Sequence, residues 1–321
     1  MPQSSTKQPK AIFLLGPMAS GKTALAMHLV DRFPVEIISV DSALVYRDMN
    51  IGTAKPDAET LRKYPHHLIN LIDPTDAYSA ARFRTDALQA ISQIVARGKT
   101  PLLVGGTMLY VKALLEGLSN LPEADADVRA AIADRANQLG WPILHAELKC
   151  IDPQTAARLK PNDAQRIQRA LEVFQLTGLP ISALQTRATE ASDFPCAALK
   201  IGLVAEQRGV LHERIAARFD AMLVAGLIDE LRSLRKRYSL NAEMPSMRCV
   251  GYRQTWEFLA GTMLESDRQR LREKSIVATR QLAKRQLTWL RSMPDVESIN
   301  CLRADLREVV GLRVAEFLRA A

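Results

Sequence analysis

The sequence predicts an α/β fold: a parallel sheet flanked by helices, of the P-loop NTPase-like kind, with an all-helical insertion domain. Three observations carry this. Short apolar runs alternate with helix-period segments at both ends of the chain, a phosphate-binding signature joins the first run to the first helix, and the stretch 121–187 between the two ends reads as helix alone.

The first run, AIFLL at 11–15, is strand-sized and leads into a helix that opens after Lys22. VEIISV at 35–40 and PLLVGG at 101–106 are continuous apolar runs, as a parallel strand covered on both faces requires, and a helix spans 79–97 between them. Strand-like runs return at 199–205, LKIGLVA, and at 296–302, VESINCL, separated by long amphipathic helices and followed by a closing one. In the middle, Asp127, Asp152 and Asp163 suit helix N-caps, Pro153 a first helical position, and Gly140 and Gly178 positions just past helix ends. At 321 residues the chain exceeds what one core usually fills. The economical division is a core built from 1–120 and 197–321, with a helical insertion at 121–196.

A chain that is 47% hydrophobic and 24% charged falls outside the disordered, collagenous and disulfide-rich classes. The first ten residues carry no apolar signal region and no run is long enough to span a bilayer, so a soluble cytoplasmic protein without membrane association is expected. Cys150, Cys196, Cys249 and Cys301 lie about fifty residues apart. That spacing fits buried free thiols and not a zinc site. The net charge of +8 is uneven: +3 over 1–120, −1 over 121–200 and +6 over 201–321. Within the basic third, eight basic residues between Arg268 and Arg291 face a single acid, Glu273, with Arg280, Lys284 and Arg291 spaced along one helical face. Such a face reads either as solvated charge or as a polyanion-binding surface.

The run Gly16-Pro17-Met18-Ala19-Ser20-Gly21-Lys22-Thr23 satisfies G-x-x-x-x-G-K-[ST] between a strand and a helix. Glycines let main-chain N–H groups turn onto phosphate oxygens, the helix N-terminus adds partial positive charge, Lys22 neutralises the outer phosphate, and the Thr23 hydroxyl is placed to ligate Mg²⁺. Alone, this loop favours a kinase or NTPase. Asp41 ends the second strand, where ligands of parallel sheets gather, and reads as a general base, a Mg²⁺ ligand or a strand-end cap. The loop 50–56 that follows is punctuated by glycine and proline and suits a substrate entrance. The third main strand ends in Gly105-Gly106 instead of the carboxylate usual in a magnesium-holding strand, followed by Thr107 and Tyr110. Those glycines suit either a close approach to a ligand or a close helix–sheet contact.

GPMASGKT, DSALVYRDMNIGTAKP, DPTDAYSAARF, LLVGGTMLY, NDAQRIQRALEVF, LHERIAARFDAML, RCVGYRQ and ATRQLAKRQLTWLR, in this order between about residues 9 and 291, resemble the tRNA dimethylallyltransferase (tRNA isopentenyltransferase, or IPP transferase) family. Met18 stands where the family usually has Thr, and Leu44 where many members have Gln. The resemblance implies transfer of a dimethylallyl group from dimethylallyl diphosphate to the exocyclic amine of the adenine 3′ of the anticodon. The loop from Gly16 to Thr23, together with Arg214, would hold the diphosphate, with Mg²⁺ on Thr23. Asp41 would take the amine proton, and Lys22 and Thr23 would stabilise the leaving group. Arg214 and Arg218, four apart on one helix, also read as simple surface pairs. Contacts to the tRNA anticodon stem-loop fall by resemblance on Asp41, Ser42, Ala43, Leu44, Thr107, Arg129, Gln165, Arg166, Ile167, Gln168, Arg169, Arg248, Cys249, Val250, Gly251, Tyr252 and Arg253. A monomer is expected. The rival readings are a small-molecule or nucleoside kinase, prenyl transfer to free AMP, and a nucleotide-switched RNA-binding protein.

Overall fold

The computed structural model describes residues 8–118, 121–186, 194–261 and 264–320. They form two compact units, one from the described residues of 8–114 and 194–320 and one from those of 115–186. The last residue of the predicted helical stretch, Arg187, lies outside the described residues.

In the larger unit the chain runs β1 (Lys10–Leu15), α1 (Lys22–Arg32), β2 (Val35–Val40), α2 (Ala58–Lys63), β3 (His66–His67), α3 (Ala80–Ala96), β4 (Thr100–Gly105) and the start of α4 (Met108–Glu116). The six-stranded sheet has the order β3-β2-β4-β1-β5-β6, where β5 is Ala197–Val204 and β6 is Val296–Asn300, and every neighbouring pair is parallel. Ala11 to Leu15 are all fully buried, the mark of a central strand with helices on both faces. The two-residue β3 pairs with Ile37 and Ile38 of β2 and has no apolar run of its own, so period-based reading passes over it. Ser79 caps α3, its side chain accepting from the Arg82 amide.

Register decides where the strand ends fall. Leu15 and Val40 both align with Gly105, so Gly16, Asp41 and Gly106 leave the sheet side by side at its carboxyl edge. A Cβ on Gly105 would overlap the Val40 carbonyl, and one on Gly106 would overlap the Gln286 carboxamide and approach the Gly16 carbonyl to 2.9 Å. Both glycines are therefore required by close packing at this edge.

The smaller unit contains α5 (Ala126–Leu139), α6 (Trp141–Ile151), α7 (Pro153–Ala156), α8 (Ala164–Thr177) and α9 (Ile181–Thr186) around a core that includes Ile132, Leu144, Leu148, Ile167 and Leu171. Asp125, not Asp127, caps α5: its carboxylate accepts from the amides of Asp127 and Val128, and Asp127 sits in the first turn. An acidic pair two apart offers two caps to sequence reasoning, and the start of the helix selects the first. Asp152 caps α7 through Thr155 with Pro153 at its first position, whereas Asp163 occupies the cap position of α8 without a side-chain bond. Gly140 and Gly178, at φ 85° and 70°, end α5 and α8.

Glu172 is fully buried in this unit. The Glu172 carboxylate takes Arg129 at 2.9 Å, Arg169 at 2.7 Å and the Asp125 amide at 2.8 Å. Burial alone would raise its pKa, but Arg129, Arg169 and that amide together hold it below the ordinary 4.5. Glu172→Ala strands two arginines, and is expected to destabilise this unit by about 3 kcal/mol, the low end for one member of a buried pair because Arg129 is 43% exposed. A carboxylate with a depressed folded pKa stabilises above its unfolded value and loses that contribution as pH falls through the folded one. Wild-type stability, followed by hydrogen exchange in 121–186, should therefore be level from neutrality to about pH 5 and fall below it, and the variant should flatten that fall.

All four cysteines are free thiols; Cys150, expected buried, is exposed on α6. No helix of the described residues is long and apolar enough to cross a membrane.

Candidate active site

A cleft of about 580 Å³ opens at the carboxyl edge of the sheet, within the larger unit. Its far walls come from Arg218 of α10 (Arg208–Val224), the segment 245–250 and α13 (Glu265–Ser292), while α11 (Leu227–Arg237), α12 (Tyr252–Leu259) and, beyond β6, α14 (Leu306–Arg319) complete the unit without lining the cleft.

The phosphate loop forms the floor. Gly21, at φ 86°, is the N-cap of α1 and offers no side-chain bond to the first-turn amides, which leaves them open to an anion. Lys22 Nζ donates to the Pro17 carbonyl at 2.6 Å and to Ser20 Oγ at 3.4 Å, so the ammonium is folded over its own loop. Burial lowers its pKa to about 8, against the opposing pull of Asp41 and with a further lowering by Arg218. Thr23 is exposed and lines the cleft. Gln286 of α13 closes the loop from above: its Oε1 accepts from the Met18 amide at 3.0 Å and its Nε2 donates to the Gly106 carbonyl at 2.9 Å.

Asp41 stands across the floor, its Oδ1 accepting from the Ala43 amide at 2.8 Å. Its charge reaches Lys22, Arg218, Tyr110 and Cys249. Burial, reinforced by Asp41, pushes the Cys249 thiol up to about 12, so it is a neutral wall group. Thr107 Oγ1 accepts from the Ser42 amide at 3.0 Å, fixing the segment after Asp41 to the end of β4. Tyr46, Tyr78 and Tyr110 form an aromatic wall, with Tyr110 stacked on Phe83 at 4.4 Å. Leu109 and Trp289, 53% and 39% exposed, widen this apolar side toward the mouth. The loop from Gly16 to Thr23, one carboxylate and an apolar wall thus share one space. No carboxylate follows β4, where a phosphoryl-transfer enzyme would hold its metal.

A model of the family described as IPP transferase matches residues 44–293 of this chain. The chain belongs to the IPP transferase family. Among its relatives, a tRNA dimethylallyltransferase of Dechloromonas aromatica is 56% identical over 310 residues, 97% of this chain and 98% of that one. One of Aromatoleum aromaticum is 58% identical over 315 residues, 97% of both chains. Two crystal structures are similar throughout. The tRNA isopentenylpyrophosphate transferase of Bacillus halodurans has a TM-score of 0.69 at 36% identity, covering 97% of each chain. A eukaryotic dimethylallyltransferase described as acting on tRNA has a TM-score of 0.78 at 26% identity, covering 97% of this chain and 80% of that one.

In this family member the cleft gathers Met18, Lys22, Thr23, Asp41, Ser42, Ala43, Leu44, Thr107, Arg248, Cys249 and Val250. Arg248 also pairs with Glu243 at 2.8 Å. Arg218, not Arg214, lines the cleft; Arg214 is exposed one turn earlier, within charge range of Cys301. Tyr252 and Ile167 are fully buried, Tyr252 donating to Glu230, so neither side chain is available to an RNA. Arg166 and Arg253, each one residue away from them, are exposed, and a motif read as one block hides that change. Gly251 is buried at the cap of α12, while Arg253 is exposed. On the smaller unit Gln165 and Arg166 are exposed, Arg129 and Arg169 are committed to Glu172, and Gln168 donates to the Arg129 carbonyl. Of α13, Leu282, Arg285, Gln286 and Trp289 line the cleft, whereas the predicted stripe of Arg280, Lys284 and Arg291 does not. Gln286 had only its place in KRQ to mark it.

Proposed function

We propose that the protein transfers the dimethylallyl group of dimethylallyl diphosphate to N6 of the adenine 3′ of the anticodon in tRNA, releasing diphosphate. The observation that carries this reading is the facing of Asp41 and the Lys22–Thr23 phosphate cradle across one cleft with an apolar wall. In the reaction the allylic C1–O bond breaks and its electron pair leaves with the diphosphate. The N6–C1 bond forms, and Asp41 receives the N6 proton. An adenine amine is a weak nucleophile because its lone pair is delocalised into the ring, so losing that proton as the bond forms lowers the barrier.

Lys22, the loop amides and Arg218 meet the charge that grows on the diphosphate. An exposed hydroxyl at Thr23 beside a cradle for two phosphates fits Mg²⁺, which keeps most of its waters and takes few protein ligands. Bound there, it would neutralise diphosphate charge. The tyrosine wall, Leu109 and Trp289 suit a five-carbon chain and an everted base, since an anticodon-loop adenine must leave its stack to reach C1. Arg248, Arg285 and, on the smaller unit, Gln165 and Arg166 are the exposed groups offered to the stem-loop backbone.

The test is incubation with labelled dimethylallyl diphosphate, Mg²⁺ and unmodified tRNA, followed by digestion to nucleosides. Label is expected in N6-dimethylallyladenosine from the position 3′ of the anticodon. Label in free AMP alone, or transfer of the terminal phosphate of ATP to a small acceptor, would overturn the reading.

A further inference from the structure

The loop from Asp48 to Ala54 holds two non-glycine residues in the left-handed region, Asp48 at φ 60° and Ala54 at φ 50°. Such conformations cost energy and persist where the surroundings over-determine them. Here the surroundings are α11 and its end. Glu230 Oε2 accepts from the amides of Asn50 at 2.9 Å and Ile51 at 2.7 Å, and Oε1 accepts from the Gly52 amide at 3.1 Å and the Tyr252 hydroxyl at 2.5 Å. Asp48 is held by the Tyr238 hydroxyl at 2.5 Å and by Arg237 at 2.9 Å. Three consecutive main-chain amides closing on one anion repeat the logic of the phosphate loop, with the protein's own carboxylate as the anion.

What this clamp positions lies in the cleft. Gly52, Thr53 and Ala54 line it, and a Cβ on Gly52 would meet the Tyr252 ring at 2.5 Å, so the loop has one place to sit. The Thr53 carbonyl accepts from Arg218 Nη2 at 3.4 Å. Arg218 reaches the cleft beside Lys22 and Asp41, and its Nε is buried with no partner in the protein. A buried guanidinium held at one nitrogen with another unsatisfied is a group aimed at an anion.

We propose that Glu230 is a positioning residue for the donor diphosphate: by fixing the amides of residues 50–52 it sets the Thr53 carbonyl that orients the Arg218 guanidinium over the phosphate cradle. The proposal rests on the reading that this cleft holds an allylic diphosphate. A purely structural Glu230 would satisfy the same amides without any link to Arg218, and a double-mutant cycle separates the two.

Binding of inorganic diphosphate with Mg²⁺ to the full chain is measured by calorimetry for wild type, Glu230→Gln, Arg218→Gln and the double variant. Glu230→Gln is expected to weaken diphosphate binding roughly tenfold, the scale of one charge-assisted hydrogen bond, and Arg218→Gln by at least as much. The double variant is expected to bind no more weakly than Arg218→Gln alone. In turnover, Glu230→Gln raises KM for the donor while the pH profile of kcat stays in place. Unchanged binding in either single variant, or losses that add in full in the double, would overturn the proposal. Should Glu230→Gln not fold, Glu230→Asp, which withdraws the carboxylate by one methylene, enters the same cycle with the same criteria. A wild type that binds diphosphate no better than Lys22→Met does would instead overturn the reading of the cleft, and this proposal with it.

Discussion

Asp41→Ala is expected to lower the single-turnover rate of prenyl transfer by about 10²- to 10⁴-fold, the range of a positioned general base, while tRNA affinity changes by less than about twofold. The carboxylate projects from the strand end that register places beside Gly16 and Gly106, so its distance from the phosphate loop is set by the sheet and not by a mobile loop. One oxygen is spent on the Ala43 amide at 2.8 Å, which fixes the group's orientation and leaves the other to take the proton in the proposed transfer. Asp41→Asn keeps the shape and can keep the bond to Ala43, but cannot take a proton. If Asp41 is the base, Asn and Ala fall together. If Asn retains most of the wild-type rate, Asp41 is only an anchor for the loop after β2. The Mg²⁺-ligand alternative predicts that raising Mg²⁺ restores Asp41→Asn, whereas a missing base is not restored by metal. A loss of less than tenfold in Asp41→Ala would remove it from the proton transfer altogether.

The parts of this site that the sequence announces are those whose partners are local. The phosphate loop is eight consecutive residues with strand before and helix after, and Asp41 is the next residue beyond an apolar run, so spacing alone places both. Gly105 and Gly106 stand out for the same reason, but why they are glycines becomes plain only when Val40 and Gln286 are seen against them. Long-range pairs leave no such trace. Glu230 bonds amides 178 to 180 residues earlier in the chain, and Gln286 bonds Met18 across 268. Arg214 and Arg218 share a helical spacing, and only the packing of α10 against the loop at Thr53 turns the second of them inward. Charge pattern is blind to burial: nothing in the spacing of Arg129 and Arg169 announces Glu172, which is fully buried and pairs with both. The two-residue β3 is defined by its bonds to β2, and two histidines carry no strand signal.

Lys22→Met is expected to lower kcat/KM for the donor by about 10²- to 10³-fold, the cost of removing one charge-stabilising group from the leaving-group site. Its pH behaviour identifies the cause. Burial holds the free Lys22 ammonium near a pKa of about 8, and a diphosphate beside it favours the charged form. Below that value the lysine is already protonated and donor affinity should be level. Above it the free protein must gain a proton to bind, so Kd should rise toward tenfold per pH unit, and this dependence should vanish in Lys22→Met. Stability of the ligand-free protein moves the other way. Between about pH 8 and the ordinary 10.5 the unfolded chain binds more protons at this position than the folded one, so Lys22 opposes folding below that window and its penalty is relieved as pH rises through it. Lys22→Met should therefore melt at or above the wild-type temperature at pH 7 while binding the donor far more weakly. A variant that loses both stability and binding would mean that the bonds from Lys22 to Pro17 and Ser20 outweigh its desolvation, and that the lysine holds the loop together before it ever meets a phosphate. Gain of one with loss of the other is the outcome expected of a cation kept partly dehydrated for its ligand.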